Sequence, residues 1–277
     1  PYLSRGLGDV YKRQMEYHKL NSDSIERMGI SFDLFSHTHT EEHAEVALSI
    51  LKKLDENGYI EPRISEEPYD PIANQFLPDR YVEGTCPHCN YESARGDQCD
   101  DCGKTLDSKE LINPRSKLNP DAKIEFRETE HLFFKLSEFR DVLLDWLSEG
   151  KEHWRSSVIN FTRNWLKEGL IDRAVTRDLD WGIEIPREGY ENKRMYVWFE
   201  AVMGYYSASV HWAKNQGKPE EWKKWWENEN SEHYYFMAKD NIPFHTIIWP
   251  AMLSGCGYKL PYDCLLYTSP SPRDRYG

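Results

Sequence analysis

Two cysteine pairs place the strongest constraint on how this chain of 277 residues can fold. Cys86 and Cys89 form the first pair, nine residues follow, and Cys99 and Cys102 form the second. Two residues between cysteines let both thiolates reach one ion from a single tight turn, and two such turns complete a tetrahedron. We therefore expect one structural zinc ion held by these four thiolates, with no open position for catalysis. Four unrelated buried cysteines, or an iron–sulfur cluster, are the alternatives.

Composition limits the cellular context and the partners. The chain has six cysteines and no N-terminal signal pattern, which indicates a reducing compartment, and we expect a cytoplasmic protein. No apolar run approaches the length of about 18 residues that spans a bilayer, so no membrane partner is expected. Lys and Arg total 35 against 47 Asp and Glu, a net charge of −12. This excludes a basic nucleic-acid coat over the whole surface, although it allows a local basic groove.

The two ends of the chain differ from its middle. Residues 1–14 and 264–277 show no hydrophobic periodicity and no apolar face. We interpret both as non-native tails, because they are similar to translated adaptor sequence, and an ordinary polar tail is the alternative. Neither end enters the fold prediction.

The first half of the remaining chain predicts one sheet-and-helix unit and then a loop-rich module. Residues 30–35 form a short apolar run of strand length, and Thr38 or Thr40 can cap a helix that ends at Asn57-Gly58. Most of the turn-forming residues and four cysteines lie in residues 61–120. That composition predicts a small module built mainly of loops.

The second half alternates between helical and strand-like patterns. The predicted helices are 137–150, 156–169, 201–214 and 244–253, and the predicted strands are 194–199 and 232–237. Strand–helix–strand–helix order favours an α/β fold, in which crossover helices connect parallel strands.

A polar sequence follows the strand predicted at residues 232–237. Lys239 and Asp240 come directly after it, and His245 lies in the first turn of the next helix. Ligands of open parallel sheets bind beyond the carboxyl ends of the strands. Asp240 could accept hydrogen bonds from ribose hydroxyls, and Lys239 could face a phosphate. A capped helix start with a surface lysine is the alternative.

A second candidate site surrounds a small residue near the strand predicted at 194–199. Trp198 and Tyr205 flank Ala201, and aromatic rings around such a gap can hold an apolar or thioether side chain through sulfur–aromatic contacts. Ordinary core aromatics are the alternative. Arg177 and Asp178 could form an ion pair inside a site, although a surface pair would look the same in sequence.

Six ordered motifs resemble methionyl-tRNA synthetases, with the archaeal and eukaryotic style closest. They are FLPDRYVEGTCPHC (76–89), ARGDQCDDCG (94–103), ETEHLFF (128–134), TRDLDWG (176–182), YVWFEAVMGY (196–205) and KDNIPFHTIIWPAM (239–252). The resemblance covers roughly residues 17–263. It implies the catalytic domain of a class I synthetase, an incomplete Rossmann-like parallel sheet with an inserted zinc-knuckle connective module. The implied boundaries are 15–60 for the end of the first Rossmann half, 61–170 for the connective module and 171–263 for the second half.

The resemblance also implies roles for individual residues. The residues that match methionine-binding positions are Trp198, Ala201, Tyr205, His245, Trp249 and Arg177. Lys239 and Asp240 match positions that face ATP. Relatives can carry a second cysteine pair where this chain has residues 69–74, so the resemblance implies a single zinc ion, held by Cys86, Cys89, Cys99 and Cys102.

The implied reaction is activation of L-methionine with ATP and Mg²⁺, followed by transfer to tRNA(Met). The HIGH and KMSKS motifs of class I synthetases do not occur in the sequence. We therefore expect an internal fragment that is inactive alone, and we assign no catalytic residue. The alternatives are a sister class I synthetase for leucine, isoleucine, valine or cysteine, or a zinc-ribbon RNA-binding module. The single knuckle counts against the first alternative, and the acidic composition of residues 86–102 counts against the second.

Overall fold

The computed structural model describes residues 7–78, 81–96, 99–102 and 106–266, with side chains from residue 12 onward except that of Asp240. The helices are α1 (Leu7–Arg27), α2 (Glu41–Glu56), α3 (Arg140–Trp146), α4 (Ser156–Glu168), α5 (Val197–Glu200), α6 (Gly204–Asn215), α7 (Lys223–Trp226) and α8 (Trp249–Gly255). The strands are β1 (Ile60–Asp70), β2 (Gln75–Phe76), β3 (Val82–Thr85), β4 (Ala94–Arg95), β5 (Ile112–Ser116), β6 (Glu125–Phe134), β7 (Arg173–Ala174), β8 (Thr176–Asp178), β9 (Lys193–Met195), β10 (Tyr234–Met237) and β11 (Asp263–Leu266). Among the helices of this part of the chain, none combines the length and apolar character that a membrane span needs.

Helix α2 begins and ends where its capping residues predict. The Thr40 side chain accepts a hydrogen bond from the backbone N–H of His43, at 3.1 Å. Asn57 is the C-cap, and Gly58 follows with a φ of +81°, a conformation that glycine adopts without strain. The buried face of α2 consists of His43, Val46, Ala47, Ile50, Leu51 and Leu54. This face packs against α6, α8 and β1.

Residues 61–120 contain more sheet than their composition predicts, and the expectation of a loop-rich module is corrected here. Strand β1 pairs with β6 in an antiparallel ladder that runs from Ile60↔Phe134 to Tyr69↔Glu125. Sheet order is β2-β1-β6-β7, and β2 pairs only with the last two residues of β1. Most of β1 is therefore an edge strand, where prolines such as Pro62 and Pro68 are tolerated.

The cysteine pairs lie in turns and loops beside a separate small sheet with strand order β4-β3-β5. This part has its own buried cluster, made of Leu77, Val82, Cys86, Ala94, Cys99, Leu106 and Leu111. The larger core is formed by helices α2–α8 together with β1, β6 and the β10–β11 sheet. The zinc-type knuckles are thus packed apart from the main core.

The second half of the chain contains one parallel pair among its described strands, but the strand predicted at 194–199 is not part of it, because β9 pairs antiparallel with β8. Strands β10 and β11 pair in parallel from Tyr234↔Asp263 to Met237↔Leu266, and the helical residues Phe244–Gly255 connect them. The α/β prediction is confirmed, with these two strands as the parallel part of the described residues. Strand β11 continues past residue 263 and α1 begins at Leu7, so ordered elements reach into both segments that we interpret as non-native tails.

Three predicted elements need correction. Residues 30–35 are not a strand, because no described strand pairs with them. Ile30 and Phe32 in this segment are half exposed. The strand predicted at 194–199 ends at Met195, and a helix starts at Val197. The helix predicted at 137–150 begins as a 3-10 turn at Leu136–Phe139, and α3 ends at Trp146.

Candidate substrate pocket and metal centre

Residues 197–207, which we call the pocket segment, are helical. The segment consists of α5, a 3-10 turn at Ala201–Met203 and the first turn of α6. Phe199 N–H donates to the carbonyl of Tyr196, which turns the chain away from the extended path, and the Phe199 ring is buried. Residues three and seven positions apart lie on one helix face, so Trp198, Ala201 and Tyr205 share a face. Trp198 and Tyr205 are 42% and 40% exposed.

A hydrogen bond joins Tyr205 to His245. The Tyr205 hydroxyl lies 2.6 Å from Nε2 of His245, and Nδ1 of the same ring lies 2.8 Å from the carbonyl oxygen of Asn241. A carbonyl only accepts, so Nδ1 carries the proton and Nε2 accepts from the hydroxyl. Burial lowers the pKa of His245, against the opposing effect of the Asn241 carbonyl, and burial raises the pKa of Tyr205. Both groups are therefore neutral at pH 7.

Trp249 is connected to this pair through Tyr235. It is completely buried, and its indole N–H donates to the hydroxyl of Tyr235 at 3.0 Å. The Tyr235 ring packs edge-on against that of Tyr205, with 4.9 Å between centroids. Tyr235 was not among the site residues predicted from the sequence. It could have been found from its place in an alternating strand, where Tyr235 and Met237 are buried and Phe236 is exposed.

Trp198 contacts the helix that carries His245. Its ring lies 5.6 Å from that of Phe244, the residue next to His245. Predicted pocket residues of α5 and α6 therefore each contact the crossover helix, Trp198 at Phe244 and Tyr205 at His245. Ala201 begins the 3-10 turn and is half-buried. In the sequence it lies between Trp198 and Tyr205.

Lys239 and Asp240 lie where the sequence predicts them relative to the sheet. They form a 3-10 turn directly after the carboxyl end of β10, and the helix with His245 follows. Lys239 is exposed, and the side chain of Asp240 lies outside the described part of the structure. The turn is suitably placed for a nucleotide beyond the strand.

Arg177 lies in β8, on the side of the connective module. Its guanidinium donates to the carbonyl of Thr176 at 3.0 Å and lies 4.3 Å from the centroid of the Tyr196 ring. It also lines a small crevice with Glu67 and His131. The ring that Arg177 contacts belongs to Tyr196, two residues before Trp198 in the sequence.

Asp178 lies among polar side chains of three strands, although its sequence context also allowed a surface ion pair with Arg177. Its carboxylate accepts from Lys193 Nζ at 2.7 Å and from the Thr129 hydroxyl at 2.9 Å, and it lies 3.3 Å from Nε2 of His131. Burial alone would raise the pKa of Asp178, but the hydrogen bonds and charges of His131 and Lys193 outweigh it and lower the pKa to about 2. The carboxylate joins β6, β8 and β9.

The four predicted ligand cysteines form one cluster. Their sulfur atoms all lie within 4.8 Å of one another, with 3.9 Å between Cys86 and Cys102 and 3.6 Å between Cys89 and Cys99. Zinc–sulfur bonds of about 2.3 Å in a tetrahedron place sulfur atoms roughly 3.8 Å apart, so the cluster fits zinc in size and chemistry. Burial raises the pKa of Cys86, but the backbone N–H groups of His88 and Cys89 outweigh it and lower the pKa to about 7.

The other residues near the knuckles are not ligands in this arrangement. His88 is exposed, and only its backbone N–H contacts the cluster, at 3.4 Å from the sulfur of Cys86. Cys256 is a buried core residue, and Cys264 is buried in β11. Within the described residues, the cysteine cluster is the one group of three or more potential ligands close enough to hold a metal ion.

The turn at residues 69–74 is closed by hydrogen bonds. The buried carboxylate of Asp70 accepts from the backbone N–H groups of Ile72 and Ala73, from the Ser116 hydroxyl and from the Asn119 amide. These bonds lower the pKa of Asp70 against the opposing effect of burial. A carboxylate closes this turn, and a single zinc ion stays a prediction.

Comparisons with known proteins show the family of the chain. The family described as tRNA synthetases class I (M) matches residues 9–267. A methionine–tRNA ligase of Dehalococcoides mccartyi is 57% identical over 248 residues, and one of Thermomicrobium roseum is 52% identical over 257 residues. These alignments cover 89% and 92% of this chain but 44% and 43% of the two relatives. The chain therefore spans less than half the length of these relatives.

Solved structures share the fold. The Mycobacterium tuberculosis methionyl-tRNA synthetase in complex with methionyl-adenylate superposes with a TM-score of 0.60 at 22% identity. The superposition covers 90% of this chain and 43% of that one. The apo form of the same enzyme gives a TM-score of 0.61 at 21% identity. The predicted class I synthetase fold is confirmed by these matches.

Proposed function

The chain belongs to the methionyl-tRNA synthetase family of class I tRNA synthetases, and we propose that it supplies the methionine-binding half of such an enzyme. The full reaction is attack of the methionine carboxylate on the α-phosphorus of ATP, release of pyrophosphate, and transfer of the methionyl group to tRNA(Met). We place this reaction in the cytoplasm. The observation that carries the proposal is the Tyr205–His245 pair inside a group of aromatic rings.

The aromatic group suits a thioether. Trp198, Tyr205 and Tyr235 present ring faces and edges, and sulfur makes favourable contacts with aromatic rings at about 5 Å. The neutral Tyr205–His245 pair adds polarity without a net charge, which a methionine side chain tolerates. A pocket of this kind distinguishes methionine from an isosteric straight-chain analogue by only about 1–3 kcal/mol. We therefore expect some misactivation of such analogues.

The nucleotide would lie beyond β10. Lys239 would face the phosphates of ATP, with Mg²⁺ as their counter-ion, and Asp240 would accept hydrogen bonds from the ribose. Activation needs alignment of the reactants and cations on the phosphates more than it needs proton transfer. The sequence contains neither HIGH nor KMSKS, the phosphate-side motifs of the class. We propose that these 277 residues bind methionine but do not activate it by themselves.

The cysteine cluster would hold one zinc ion. Four thiolates fill its coordination, so the metal would be structural and would stabilise the knuckle module. The module has its own buried cluster, which agrees with a locally stabilised unit.

Methionine binding to this chain tests the proposal directly. Isothermal titration calorimetry should show binding of L-methionine, and Trp198→Ala should weaken it strongly because the ring forms one wall of the pocket. Trp181→Ala is the matched control, since that indole is 60% exposed in a loop. Equal affinity in both variants would contradict the assigned pocket.

Pyrophosphate exchange tests the reaction. The full-length protein of the same gene should exchange pyrophosphate into ATP with methionine and not with leucine, isoleucine, valine or cysteine. The 277-residue chain should show no exchange. Exchange with another amino acid would move the chain's parent enzyme to a different specificity.

A further inference from the structure

A buried histidine of α2 contacts both ends of the pocket segment. Nε2 of His43 lies 2.5 Å from Oε2 of Glu200, and Nδ1 lies 2.9 Å from Oγ of Ser207. His43 is completely buried, and Glu200 and Ser207 are 9% and 5% exposed. Three polar side chains have thus been withdrawn from water and satisfied by one another, an arrangement that is costly to break.

Helical spacing explains why one side chain can reach both partners. Glu200 and Ser207 are seven residues apart, about two helical turns, so they lie on the same face. That face is roughly opposite the one shared by Trp198 and Tyr205, since residues nine apart in a helix are rotated by about 180°. A contact that fixes the Glu200–Ser207 face toward α2 therefore fixes the direction in which the pocket face points.

The shared hydrogen atoms of this hydrogen-bond network can be placed. The Ser207 hydroxyl donates to the carbonyl of Gly204 at 3.2 Å, and it has a single proton to give. Oγ therefore accepts from Nδ1–H of His43. Nε2 of His43 and the carboxyl group of Glu200 then share one further proton in the hydrogen bond between them. Without His43, the Glu200 carboxyl group would lose this partner and the Ser207 hydroxyl would keep only its bond to Gly204.

The start of α2 lies against the pocket segment. The Thr40 cap fixes the turn that contains His43. Helix α2 contacts α6 and the 3-10 turn at Ala201–Met203. His43 is therefore placed where it can orient the pocket segment.

We propose that His43 is a positioning residue for methionine recognition. Through Glu200 and Ser207 it sets the rotation of the pocket segment, and so the separation between the Trp198–Tyr205 face and His245. The inference rests on the proposed function, because it concerns the same pocket. It adds a specificity-determining residue that makes no contact with the ligand.

The test is methionine affinity in the 277-residue chain. His43→Ala removes both contacts and should weaken L-methionine binding about tenfold, a typical size for coupling between residues in one network. His43→Gln places an amide about where Nε2 lies, which should restore the contact to Glu200 and recover part of the affinity. His88→Ala is the matched control, because that histidine is exposed and lies in the separate knuckle module.

A second readout separates positioning from general stability. The ratio of methionine to norleucine affinity should fall in His43→Ala, because a rotated pocket face discriminates less well. The melting temperature of each variant is recorded alongside. If His43→Ala does not fold, Ser207→Ala carries the test. It removes the Nδ1 contact and the hydroxyl's own bond to Gly204 but keeps the contact to Glu200, and it should also lower affinity and selectivity.

The possible failures are distinguishable. A wild-type chain that binds no methionine would overturn the proposed function and this inference together. Wild-type binding with unchanged affinity and selectivity in folded His43→Ala or Ser207→Ala would overturn the inference alone. A lowered melting temperature with unchanged selectivity would assign His43 a purely structural role and would equally overturn it.

Discussion

Replacing Asp178 by asparagine should weaken the joint between the connective module and the second half of the chain. The carboxylate lies between β6, β8 and β9, where it accepts from Lys193 and Thr129 and contacts His131. Its side chain is 17% exposed, and that of Lys193 is 9% exposed. Asp178→Asn keeps the shape of the side chain and removes its charge, so Lys193 is left buried without a counter-ion.

The magnitude follows from the pKa of the carboxyl group. The folded protein lowers it from 3.8 to about 2. Each unit corresponds to about 1.4 kcal/mol, so the ionised group contributes about 2 kcal/mol to the free energy of unfolding at pH 7. Since the folded pKa is the lower one, this contribution is present above about pH 4 and is lost as the pH falls from about 4 to about 2.

Urea unfolding at pH 7 and near pH 3 measures both predictions. Asp178→Asn should lower the free energy of unfolding by about 2 kcal/mol at pH 7, and by roughly half of that near pH 3. Asp141→Asn is the matched control, because that side chain is 85% exposed beside Arg140. A loss of equal size at the two pH values, or a loss no larger than in the control, would refute the electrostatic reasoning.

Three further predictions concern the metal, the core and the pocket histidine. Cys99→Ser should abolish binding of one zinc per chain in a metal analysis, whereas Cys256→Ser should retain it. Gly255→Ala should lower the free energy of unfolding by about 1–3 kcal/mol, because the new methyl group would lie 2.7 Å from a methyl carbon of Leu54; urea unfolding measures it. Burial lowers the pKa of His245 below 6.5, so the folded protein favours the neutral ring. The free energy of unfolding should therefore fall as the pH falls below about 6.5. His245→Gln should flatten that part of the pH–stability curve, and an unchanged slope would contradict the assignment.

Features that depend on neighbouring residues were predictable from the sequence. The cap at Thr40, the end of α2 at Asn57 and the end of α4 before Gly169 are set by hydrogen bonds and backbone preferences within a few residues. The cysteine cluster was predictable for the same reason, since each pair is a local turn. Only the meeting of the two pairs is long-range, and the chemistry of the thiolates implied it.

Features that depend on distant partners were not predictable in the same way. Residues 30–35 have the composition of a strand, but a strand exists only where another one pairs with it. The prolines of β1 suggested loops, although an edge strand accommodates them. Asp178 looked like half of a surface pair, because its partners Thr129 and Lys193 are remote in sequence.

The pocket segment shows how a wrong prediction of local structure bears on the function assigned to it. The predicted strand ends at residue 199 and the predicted helix starts at residue 201, so in that prediction no helical period relates Trp198 to Ala201 and Tyr205. The helical turn that replaces the strand brings Trp198, Ala201 and Tyr205 to one face. It simultaneously brings Glu200 and Ser207 to the other, where His43 holds them. The proposed recognition on one face and the proposed orientation from the opposite face are thus two consequences of the same helical period.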